Sequence, residues 1–112
     1  MNSEVKNYIE KYSVEIQEMF IALRRVIKQS IANEIEEKLW AKLPSYYIGD
    51  RFIRLIPFKD HINIEAVAIM EYKKELEGFK ITPKGMLQVY PNQNIPCDIL
   101  QIIFKTTLLG WM

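Results

Sequence analysis

The chain has 112 residues, enough for one core and too few for two, and with 49% apolar and 26% charged residues it reads as a single folded domain, 1–112, rather than a disordered chain. Fifteen basic against fourteen acidic side chains leave a net charge of +1, so charge alone points to no nucleic-acid or anionic-membrane partner. The one cysteine excludes an internal disulfide; with no secretory signal in residues 1–10 and no unbroken apolar run of the roughly 18 residues that span a bilayer, the expectation is a cytoplasmic protein.

In chain order, Ser3 is suited to cap a short helix over 3–11, with Val5, Tyr8, Ile9 and Tyr12 at helical spacing. Ser13 opens a longer helix whose stripe, Ile16, Met19, Phe20, Leu23, Val26, Ile27 and Ile31, recurs at a period of 3.6 and marks the main core helix. Asn33 is placed to cap a third helix over 34–40, ended by Pro44. The aromatic and β-branched segments 46–48 and 51–58 flank Gly49-Asp50, which suits a tight hairpin. Strict alternation from His61 to Ala66 predicts a half-buried antiparallel strand with Ile62, Ile64 and Ala66 inward and His61, Asn63 and Glu65 outward. A crossover helix over 68–78 and a strand over 86–90 near a sheet edge follow, and Pro96 starts a terminal helix that runs to Gly110. The expected fold class is α+β, an antiparallel β-sheet flanked by N- and C-terminal helices.

No glycine-rich phosphate loop, His-Glu-x-x-His pair or nucleophile elbow is present, so no enzyme class is assigned. Cys97, in the first turn of a helix, would have its thiolate favoured by the dipole, but a buried small hydrophobe is the expectation. His61, Asn63 and Glu65 share one strand face and offer imidazole and carboxylate to a divalent metal, although such a face is more often solvated. Lys59, His61, Lys80 and Lys84 form a candidate anion patch. Glu15 and Glu18 on one helical face, with Glu34, Glu36 and Glu37 near the next helix start, offer oxygen ligands to a hard cation. Trp40, Tyr46, Tyr47, Phe52, Phe58, Phe79 and Tyr90 gather around the sheet, with core packing the default and a ligand pocket the minority reading.

Several segments in this order carry a family resemblance: the helix 13–31 with Leu23-Arg24 at its centre, Leu43-Pro44-Ser45-Tyr46, Pro57-Phe58-Lys59-Asp60-His61-Ile62, and Lys84-Gly85 ahead of Pro96. Together they resemble the YdhG-like family of small bacterial proteins, a domain of unknown function, over nearly the whole chain. The resemblance implies a fold similar to frataxin, and some family members are described as iron chaperones. It therefore implies an iron-binding chaperone that passes its iron to accepting proteins, with Glu15, Glu18, Glu34 and Glu37 as ligands and His61 an outside candidate. The alternative is a small-molecule or anion-binding module in which Trp40, Tyr46 and Phe58 line a pocket and Lys59, His61 and Lys84 orient a negative group. A third reading is an interaction module. The terminal helix carries Ile99, Leu100, Ile102, Ile103, Phe104, Leu108 and Leu109 on more than one face, with Trp111 beyond, which suits a homodimer.

Overall fold

In the computed structural model, which describes residues 1–110, the chain opens with α1 (Ser3–Ile9) and α2 (Val14–Gln29). The cap of α1 falls one residue earlier than expected. Asn2, not Ser3, accepts the backbone N–H groups of Glu4 and Val5 at 2.9 and 3.1 Å, satisfying donors that a helix start leaves without partners. Ser13 caps α2 through the N–H of Ile16 at 3.2 Å, and the expected stripe from Ile16 to Ile27 is buried.

Six antiparallel strands follow: β1 (Glu36–Trp40), β2 (Leu43–Ile48), β3 (Arg51–Pro57), β4 (Ile62–Glu65), β5 (Lys80–Ile81) and β6 (Leu87–Val89), ordered β1-β2-β3-β4-β6-β5. The expected helix over 34–40 is therefore wrong, and residues 36–40 form an edge strand. Trp40 pairs with Leu43 across the two-residue turn Ala41-Lys42, both at positive φ (51° and 66°), as a type I′ hairpin requires. Neither residue is the usual Gly or Asn, so the turn carried no local signal. Gly49-Asp50 does form the expected turn, joining Ile48 to Arg51.

A further expectation needs correction. Residues 67–76 form 3-10 turns (Val67–Leu76) broken at Tyr72, not a regular α-helix. The strand expected over 86–90 forms as Leu87–Val89 and lies near a sheet edge as expected, one strand in from β5. Finally α3 (Cys97–Leu109) starts after Pro96 and buries Leu100, Ile103, Phe104, Thr107 and Leu108, leaving Ile102 exposed. Most of the apolar surplus read as an interaction surface is thus core; Trp111 lies outside the described residues. Cys97 is exposed rather than buried. No helix among the described residues is long and apolar enough to cross a membrane.

Strand alternation divides the sheet into two faces. Tyr46, Ile53, Leu55, Ile62, Ile64, Leu87 and Val89 lie on the face that packs against the helices and are fully buried. The opposite face carries Lys38, Trp40, Tyr47, Phe52, Arg54, Asn63 and Gln88, with no helix of the described residues laid over it.

Candidate functional site

The open face is built from three cross-strand groups. Arg54 on β3 stands opposite Ser45 and Glu65 in register. Its guanidinium carbon lies over two aromatic rings, 4.3 Å from the Trp40 ring centroid and 3.9 Å from that of Phe52. The fork donates to Tyr47 Oη at 3.2 Å and to Glu65 Oε1 at 3.1 Å. Arg54 is only 8% exposed, and its Nε has no partner. Beside it Lys38 sits 4.7 Å from the Tyr47 ring.

The second group forms at the other end of β4. The turn between β3 and β4 is closed by the Phe58 N–H donating to the His61 carbonyl at 2.7 Å. That turn brings the His61 ring between Phe58 (4.6 Å, 7° between planes) and Tyr90 (5.0 Å, 28°). Its Nδ1 is 2.7 Å from Asp60 Oδ1, and this hydrogen bond holds the Asp60 carboxyl below the usual carboxylate range. The imidazole side chain is 14% exposed while Asp60 is open to solvent, so a stacked, oriented ring is backed by an exposed carboxylate.

Between these groups runs the row Ile56, Asn63, Gln88 and Lys80, paired in register across β3, β4, β6 and β5. The alternation of β4 predicts Asn63 on a solvated side, yet it is 8% exposed, because both flanking strands crowd it. Asn63 Oδ1 and Gln88 Oε1 are buried without hydrogen-bond partners. An unpaired buried polar group costs about 1–3 kcal/mol, so this row is a local deficit that the described chain does not repair.

Of the expected ligand-binding residues, Trp40, Phe58, Lys59 and His61 border this face. Tyr46 belongs to the helix face. Lys84 lies toward the Glu65 end of β4, the far end from His61, and lines a cavity of about 570 Å³ with Arg51, Phe52, Glu65, Val67 and Met70. The expected anion patch is therefore divided.

The expected carboxylate ligands are dispersed as well. Glu15 and Glu18 border a shallow depression with Met19 and Ile95, and Glu34 is an exposed loop residue. Glu37 is bound by Arg24 at 2.6 and 3.2 Å and by the Asn2 N–H at 2.8 Å. Burial alone would raise its carboxyl, but the bonds from Arg24 and Asn2 prevail and lower it to about 2. The Tyr46 hydroxyl reaches toward the same pair without a well-formed hydrogen bond, and burial and then the Glu37 carboxylate push it up. No group of three or more His, Cys, Asp or Glu side chains suited to a metal occurs among the described residues; His61, Asn63 and Glu65 are spread along β4.

Sequence reasoning missed Arg54 and Gln88. An Arg between Phe52 and Ile56 in a strand-like segment was the available signal for the first; Gln88 acquires meaning only through its pairing with Asn63. Compared with protein-family models, curated proteins and solved structures, the chain finds no match.

Proposed function

We propose that this protein is a non-enzymatic binding module that holds a small, planar, anionic ligand on the open face of its sheet. One observation carries the reading: a buried arginine and a largely buried histidine are each stacked on aromatic rings, on the face that no helix covers. Aromatic and guanidinium planes attract flat rings, and Trp40 and Phe58 remain 51% and 42% exposed, with surface free for a ligand. Lys59 stands beside Phe58 and supplies a cation for the anionic group.

The 570 Å³ cavity supports ligand binding less well, because Arg51 is already committed, its Nε donating to the Thr107 carbonyl at 2.7 Å near the end of α3. Iron delivery, implied by the YdhG-like resemblance, draws no comparable support: Glu37 is neutralised by Arg24, and Glu15 and Glu18 form no cluster with Glu34.

The test is a titration with 1-naphthalenesulfonate, a flat aromatic anion, followed by backbone amide NMR shifts. Saturable shifts confined to β1, β3, β4, β6 and the 58–61 turn are expected, and Phe58→Ala should weaken binding about tenfold, the loss of roughly one aromatic contact. Shifts centred on Lys84 and Met70, or no saturable shift, would contradict the proposal.

A further inference from the structure

Resting on that reading, we infer that the open face recognises an amino-bearing nucleobase, and that its ligand is an adenine mononucleotide. The carriers are Asn63 and Gln88. They are cross-strand neighbours on the open face, Asn63 is 8% exposed, and neither carboxamide oxygen has a partner. A ligand that brings an N–H donor to such an oxygen, and an acceptor to the NH2 of the same amide, would repair the deficit.

A carboxamide pairs with adenine in that way, its oxygen accepting from N6 and its NH2 donating to N7. A plain hydrocarbon ring would leave both amides unsatisfied and gain nothing from them. Ile56, next in the row, offers apolar contact to the ring. The phosphate also has partners. Lys80 is in register with Gln88, Lys59 stands at the turn, and neither has a carboxylate partner among the described residues. The buried Arg54 Nε adds one more unpaired donor on the same face.

The experiment compares AMP, IMP (a carbonyl in place of the amino group) and 1-naphthalenesulfonate by calorimetry, on the intact chain and on Asn63→Leu and Gln88→Leu. AMP should bind about tenfold or more tighter than IMP, the value of one good amide–base pair. Each Leu variant should erase that preference, and urea melts should show both variants folded. Equal affinity for AMP and IMP, or a preference that survives both variants, overturns the nucleobase inference and leaves the planar-anion reading standing if naphthalenesulfonate binds. Failure of all three ligands overturns both. If either variant fails to fold, Asn63→Asp and Gln88→Glu, which remove the amide donors, should lower AMP affinity by at least the same factor; unchanged AMP affinity in them likewise overturns it.

Discussion

The two faces of the sheet solve opposite problems. On the helix side, Ile53, Leu55, Ile62 and Ile64 are fully buried apolar residues, and the part-buried ion pair of Arg24 with Glu37 is completed by Asn2. On the open side the chain buries Arg54 and Asn63 and leaves Arg54 Nε, Asn63 Oδ1 and Gln88 Oε1 unpartnered. Three of the four unpartnered buried side-chain atoms among the described residues lie there, Tyr46 Oη being the fourth. Stability is thus gathered on one face and given up on the other, and sites that break local rules without repair are where function is sought.

The sharpest way to expose this difference is a pair of truncations. Leu55→Ala, on the helix face, should lower stability by about 3 kcal/mol in urea melts through lost burial and a residual cavity, with little change in naphthalenesulfonate affinity. Phe58→Ala, on the open face, should do the reverse. Equal effects on both readouts would dissolve the distinction between the faces.

Glu37→Gln probes the polar part of the helix face. The Glu37 carboxyl sits at about 2 in the fold against an ordinary value of 4.5. Its contribution, on the order of 2 kcal/mol after allowance for solvent screening, is complete above the ordinary value and fades as pH falls toward 2. The stability gap between the wild type and Glu37→Gln should therefore be full at pH 6 and close on acidification; a gap independent of pH would contradict the assignment to Arg24 and Asn2.

Smaller still, Arg54→Met should cost about 1 kcal/mol, keeping the stacking volume while losing the cation over Trp40 and Phe52. Smallest is Asn63→Leu: despite deep burial, it should be neutral or stabilising by up to about 1 kcal/mol, because an unpaired amide is replaced by a hydrocarbon of similar shape. A loss of more than 2 kcal/mol would mean that Asn63 is already satisfied.

These contrasts also explain what could be read from the sequence. The α2 helix was legible because its apolar period and Ser13 cap agree, and the β2–β3 hairpin because Gly49 supplies a positive φ. The strand β1 was not, since Ala41-Lys42 turns without the residues that usually adopt left-handed backbone, while Glu-rich 34–37 mimics a helix start. Trp40, Phe58, Lys59 and His61 could be picked out by residue type. Their neighbours Arg54 and Gln88 could not, because a single polar residue in a strand reads as solvent-facing until the register shows what crowds it. Residue type and sequence order alone group Tyr46 and Lys84 with the site, and strand parity and the length of β4 separate them from it.

The most direct test of the open face as the binding surface is the NMR titration with 1-naphthalenesulfonate on uniformly labelled protein. Saturable shifts are expected at Trp40, Arg54, Phe58, His61 and Tyr90, with α2 and α3 silent. Shifts that follow the helices or the Lys84 cavity, or none at all, would contradict it.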